Sequence, residues 1–136
     1  MSRWFGAAAL LVVLPASPVL AAKDDAVWRA CMDVGRYETS VAACTMLIET
    51  SKRPADREVG LLNRGAAHLV KGDYEGAIPD FDAALAIEPR QAYALYGRAL
   101  ARKGSGDEAG AKADLDAALA SDPQIAERLA APPPAR

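Results

Sequence analysis

The stretch from Gly72 to Pro89 reads GDYEGAIPDFDAALAIEP, and the stretch from Gly106 to Pro123 reads GDEAGAKADLDAALASDP. Setting Glu58–Pro89 against Ala92–Pro123 at an offset of 34 residues gives 14 identities in 32 pairs. They include Leu61/Leu95, Arg64/Arg98, Gly72/Gly106, Asp73/Asp107, Ala77/Ala111, Asp80/Asp114, Asp82/Asp116, Ala84/Ala118 and Pro89/Pro123. Chance supplies only a few such matches, even in an alanine-rich chain. A fixed period of this length is the mark of stacked units, each burying its apolar face on a neighbour.

Each unit reads as two helices. From Glu58 to Lys71 the apolar residues Leu61, Leu62, Ala66, Leu69 and Val70 fall in a helical stripe. Gly72 ends that helix, since glycine accepts the left-handed conformation of a helix stop. Asp73 is suited to cap the next helix. Ala77, Ile78, Phe81, Ala84, Leu85 and Ile87 then recur at helical spacing until Pro89. Pro79 lies beyond the first turn and is expected to cost a hydrogen bond or a local bend. The next unit repeats the plan: a first helix from Gln91 to Lys103, the turn Gly104-Ser105-Gly106, the cap Asp107, and a second helix to Ser121.

These residues resemble the tetratricopeptide repeat. That family takes a large, a small and a large residue along its first helix, places filled here by Leu61, Gly65 and His68 and by Leu95, Ala99 and Arg102. Along the second helix it takes Ala, Phe and Ala before a proline. Ala77, Phe81, Ala84 and Pro89 match, as do Ala111, Leu115, Ala118 and Pro123. Small residues at Gly65/Ala99 and Ala77/Ala111 let the helices approach, while Phe81 and Leu115 are expected to fill the gap between units. Arg64 and Arg98 stand where the family usually has leucine. The resemblance implies an all-α fold, a right-handed α-solenoid.

A third unit lies upstream. GRYETSVAACTMLIE aligns with GDYEGAIPDFDAALA at an offset of 37 residues, which sets Gly35 on Gly72, Tyr37 on Tyr74, Val41 on Ile78, Cys44 on Phe81 and Ile48 on Leu85. Its first helix is expected from Asp24 to Val34, with ETSKRPADRE as a polar link to the next unit. After Pro123, Gln124–Ala131 has Ile125 and Leu129 on one face and reads as a short C-terminal capping helix. The tail 132–136 reads as disordered. The repeat domain is thus expected over 22–131: a degenerate repeat 1 at about 24–55, repeat 2 at about 56–90, repeat 3 at about 91–123, and the cap at 124–131.

The first residues follow another grammar. Arg3 precedes an apolar run from Trp4 to Leu14, and Pro15 and Pro18 are expected to break any helix there. Val19-Leu20-Ala21 then offers small residues for cleavage, so 1–21 reads as a signal peptide cut after Ala21. The run is too short for a membrane anchor, and no cysteine follows it to carry a lipid. This implies a periplasmic or secreted protein. Removing Arg3 leaves 15 basic and 18 acidic residues, a net of −3. In an oxidising compartment the even cysteine count favours a Cys31–Cys44 disulfide. Two buried free thiols are the other possibility. Cys31 lies just before the turn and Cys44 well after it, so their heights are slightly mismatched.

Chemistry is sparse. The one histidine, His68, has no nucleophile beside it and reads as a packing or rim residue. Asp80, Asp82, Asp114 and Asp116 recur with the repeat and read as solvated helix faces, not catalytic pairs. Gly104-Ser105-Gly106 lacks the GK[ST] of a phosphate loop. No enzyme, metal site or cofactor is expected, and no basic stripe invites nucleic acid. What remains is a surface for a protein or peptide partner. The family's inner groove would be lined here by Val59, Leu62, Asn63, Ala66 and Leu69, then by Tyr93, Tyr96, Leu100 and Lys103. By this resemblance Asn63 would bond a peptide backbone, and Tyr93 and Tyr96 suit binding hot spots. Leu62 and Ala66 stand where two members of the family's clamp for a C-terminal carboxylate would be. The chain is thus expected to be a non-catalytic adaptor in the cell envelope. The alternatives are a self-associating homo-oligomeric stack or an accessory subunit of an envelope enzyme.

Overall fold

The computed structural model describes residues 18–130. Among these residues there are seven helices and no strand: α1 (Pro18–Met32), α2 (Tyr37–Thr50), α3 (Pro54–Lys71), α4 (Tyr74–Ile87), α5 (Ala92–Gly104), α6 (Glu108–Ser121) and α7 (Ile125–Ala130). Neighbours in the chain pack on each other, making the pairs α1/α2, α3/α4 and α5/α6. The first helices also touch across units, α1 with α3, α3 with α5 and α5 with α7. The second helices α2, α4 and α6 make no such contact among the described residues. The result is an all-α solenoid whose inner layer is the row of first helices, with α7 closing that row.

The helix boundaries follow local chemistry. Asp73 and Asp107 each accept a hydrogen bond from the backbone N–H three residues on, at 2.9 Å in both cases. Gly72 and Gly106 take φ of 80° and 92°, which a side chain would strain. The expected turn at 104–106 therefore starts one residue later, since Gly104 still belongs to α5. Its missing side chain makes room for the Tyr74 ring. Pro54 opens α3, because the first helical position needs no N–H. Hence α3 takes half of the expected polar link, and the described part of α1 reaches six residues before Asp24. The expected cut after Ala21 falls within α1; the rest of the leader, 1–17, and the expected tail lie outside the described residues. Helix α4 runs through Pro79 unbroken, leaving the carbonyl of exposed Glu75 without its intrahelical donor.

Phe81 sits at the centre of the core and is fully buried. An added Cβ on Gly65, within its own unit, would lie 2.9 Å from the ring. One on Gly97, in the next unit, would fall inside the ring's van der Waals envelope. The small residues thus let two helices close on one aromatic. Leu115, expected to do the same for the last unit, is partly exposed, because α7, the described helix that follows, has only six residues. In the first unit Cys31 and Cys44 form a disulfide with Cα atoms 4.7 Å apart, within ordinary disulfide reach. The expected difference in height does not separate them. Beside the bond, Ser40 Oγ donates to the Cys31 carbonyl at 2.9 Å.

The carboxylates at 80 and 114 correct the expectation of solvated faces. Both are buried. Arg64 donates to Asp80 through Nε at 2.9 Å and Nη2 at 2.7 Å, a bidentate pair. Arg98 does the same to Asp114 at 2.8 and 2.7 Å. The third donor of each arginine reaches back to the preceding unit. Arg64 Nη1 meets Thr45 Oγ1 at 2.8 Å and Arg98 Nη1 meets Asp82 Oδ1 at 2.6 Å. These bonds hold both guanidinium groups charged to still higher pH than a free arginine. His68 and Arg102, also 34 residues apart, complete the clusters: Arg102 Nη1 donates to Asp114 at 2.8 Å. His68 has Asp73 at 2.9 Å, Asp80 at 3.8 Å and the Tyr37 hydroxyl at 3.2 Å. It is a joint between the first two units, not a rim residue.

Three stability measurements check this account. Gly97→Ala should lower unfolding free energy in urea by about 1–3 kcal/mol despite alanine's better helix propensity, with Phe81→Leu restoring part of the loss. Replacing Cys31 and Cys44 by serine should cost about 3 kcal/mol, with hydrogen exchange accelerating first in α1 and α2. Asp114→Ala should cost about 3 kcal/mol by stranding Arg98 and Arg102, whereas the double replacement Arg98→Leu/Asp114→Leu should cost less, since Arg102 alone then loses its buried carboxylate.

Candidate peptide-binding groove

The inner layer of first helices carries a hollow of about 460 Å³. Ala66, Leu69 and Val70 of α3 form one side, and Tyr93, Tyr96 and Leu100 of α5 the other. Both sets follow from helical spacing: steps of three or four residues return side chains to one face. Val34, in the turn after α1, borders one margin, and Ala126, Leu129 and Ala130 of α7 border another. The lining is mainly apolar, with the tyrosine hydroxyls among its few polar groups.

Five of the residues expected from the sequence come together here: Ala66, Leu69, Tyr93, Tyr96 and Leu100. The other four, Val59 among them, do not line it. Leu62 packs against the core cluster around Leu61 and Phe81. Asn63 Nδ2 donates to the Val59 carbonyl at 2.9 Å, so its amide N–H serves its own helix before any ligand. Lys103 borders a second hollow, of about 330 Å³, between α5 and α6. Tyr96 and Leu100 form a rim common to both hollows. At the start of the groove layer Gln91 Nε2 donates to Glu58 Oε1 at 3.0 Å, tying α5 to α3.

Sequence reasoning missed the α7 wall and Val34. The cap was expected to lay Ile125 and Leu129 together on the last unit. Instead Ile125 is buried in the core while Leu129 is left partly exposed at the groove. Arg128 pairs with Asp122, the capping residue after α6, and this ties the short helix back. Val70 was legible as apolar at helical spacing, but its strong exposure was not.

Residues 59–91 match the family model of the tetratricopeptide repeat. The chain carries a tetratricopeptide repeat. The matched span runs from within α3, through α4, to the residue that caps α5. No curated protein matches the chain. A tetratricopeptide repeat is a protein–protein interaction module, and its fold is generally non-catalytic. Among the described residues, no group of three or more His, Cys, Asp and Glu side chains is placed to hold a metal ion. Nor is any described helix long and apolar enough to cross a membrane.

Burial raises the Tyr93 phenol above the ordinary tyrosine value of 10.0. A raised folded-state value means that stability is fully present below about pH 10 and falls as pH rises through the shifted value. Alkaline titration followed at 295 nm should therefore show a late tyrosine component. Tyr93→Phe should remove that component and flatten the loss of stability above pH 10.

Proposed function

We propose that this protein is a non-catalytic adaptor of the cell envelope that holds a protein or extended peptide segment in the concave groove of its tetratricopeptide repeats. The pair Tyr93 and Tyr96 carries this reading. Both stand half-buried on one face of α5, beside the apolar wall of Leu69 and Ala66. Tyrosines packed this way on the core have little side-chain freedom left to lose, and they offer flat apolar area with a polar tip. An extended segment laid along them would bury apolar surface while its backbone bonds to the hydroxyls. The mainly apolar lining favours a segment with hydrophobic anchors over an acidic or basic one.

Export rests on the leader-like residues 1–21 and is supported by the disulfide, which is compatible with an oxidising compartment. On this reading the mature chain begins at Ala22 and keeps the greater part of α1, including Cys31.

Mature chain 22–136, immobilised and exposed to native envelope extract, should retain a specific protein identifiable by mass spectrometry. Tyr93→Ala/Tyr96→Ala should lose that protein while keeping its helical circular dichroism. Retention of the partner by the double variant would remove the groove from consideration.

A further inference from the structure

The last two units carry one cluster twice, with a single exchange. Near the end of each first helix a basic side chain lies between two aspartates, the cap of the second helix and the buried carboxylate within it. In the last unit this side chain is Arg102, with Nη1 2.8 Å from Asp114 and Nε 3.8 Å from Asp107. In the unit before, His68 takes the place, with Nδ1 2.9 Å from Asp73 and Nε2 3.8 Å from Asp80. An arginine stays charged throughout the pH range in which proteins work. A histidine changes its charge near neutrality, and His68 is the one histidine of the chain. Its neutral ring carries a single N–H, so one of the two carboxylates meets a bare nitrogen. Only the imidazolium has an N–H for each. The side chain is 15% exposed, so water replaces little of what is missing.

His68 also reaches out of its own unit. Nδ1 lies 3.2 Å from the hydroxyl of Tyr37 at the start of α2, and the two rings meet edge to face. The hydroxyl can donate to the bare nitrogen or accept from the imidazolium, and the second bond is charge-assisted and so the stronger. The charged groups around the ring come from three places. Asp73 and Asp80 belong to α4 and its cap. Helix α3 supplies Arg64, engaged on Asp80, and Lys71, 5.2 Å from the centre of the Tyr37 ring. The turn before α2 holds Asp33 and Arg36, which pair with each other at 3.4 Å. Among the described residues no ion pair or hydrogen bond joins the His68 ring to α1 or α5. Two cations oppose a charge on the ring and two carboxylates favour it, with Asp73 the nearest of the four in direct contact.

We propose that His68 is a proton-operated fastening between the first two units. Protonated, it completes the cluster that Arg102 completes permanently in the last unit, and it grips the first unit through Tyr37. Deprotonated, it gives up part of that grip. The added contact is present below the imidazole range and fades as pH rises through it. The stack then has one joint that follows pH and one that does not. Val34, on the margin of the concave hollow, belongs to the unit so fastened, but the fastening does not depend on what the hollow holds.

Hydrogen exchange on the full chain tests this at about pH 5.5 and about pH 7.5, on either side of the imidazole range, with rates corrected for the intrinsic effect of pH. Amides of α2 should exchange roughly fivefold more slowly at the lower pH, the gain of a hydrogen bond that becomes charge-assisted. His68→Arg should give the slow rate at both pH values and His68→Gln the fast rate at both. Tyr37→Phe should remove the response of α2 while leaving it at the turn between α3 and α4. The amino terminus also titrates in this interval, but every variant shares it. Equal protection of the unaltered chain at both pH values overturns the proposal, as does a response that survives His68→Gln. A response of α2 that survives Tyr37→Phe overturns the link between the units. Unchanged helical circular dichroism separates a loosened joint from a lost fold. If His68→Arg does not fold, His68→Gln and Tyr37→Phe decide the outcome.

Discussion

One arginine in each of the last two units joins three helices. From α3 or α5 it takes a buried carboxylate of its own unit in a two-pronged grip and turns its remaining nitrogen, Nη1, to the unit before. The planar guanidinium suits this task because its donors lie in a fixed fork, so satisfying one partner aims the group at the next. Each pair fixes both the distance between the two helices of a unit and the position of that unit on its predecessor. A leucine at this place would fill volume without specifying either. The carboxylate is obliged to stay paired, since a buried charge without its partner is costly.

The apolar packing depends on the same joint. Phe81 can be fully buried only because Gly65 and Gly97 bring backbone against the ring from two units. Close approach at that level places Arg98 within reach of Asp82, and the pair in turn holds the approach. Toward the N-terminus the pattern changes. Cys44 takes the position of Phe81 and is covalently tied to Cys31. A small side chain fills less of the gap between helices, and the disulfide compensates by linking them directly, which is where a short array needs additional constraint.

The grooves follow from the same geometry. Tyr93, Tyr96 and Leu100 share a face because helical spacing puts them there, and Ala66 and Leu69 oppose them because α3 and α5 lie side by side. That much could be derived from the 34-residue period and the identity of the side chains. The occupation of Asn63 by the Val59 carbonyl could not, since an amide four residues along a helix has the choice of its own backbone or a ligand. Nor was it visible that Asp80 and Asp114 are buried. Spacing along one helix shows which residues share a face, whereas their arginines lie 16 residues earlier on another helix. The recurrence of Arg64/Arg98 together with Asp80/Asp114 was the available signal. Alternate carboxylates on one helix do not face each other, and that spacing says nothing of a partner on a second helix.

The sequence by itself determined the period, the number and order of the helices from α2 to α6, the glycine stops at 72 and 106, and the caps Asp73 and Asp107. These are local matters: a glycine that accepts positive φ, an aspartate three residues before a free N–H, an apolar stripe at helical spacing. The tertiary structure alone decided which charges are buried, where α3 begins relative to its link, and how Ile125 and Leu129 part company on a helix of six residues. It alone left Leu115 uncovered where Phe81 is sealed. Two residues in equivalent sequence positions differ in burial because burial belongs to the neighbouring unit, and the last unit has only a short helix in that place.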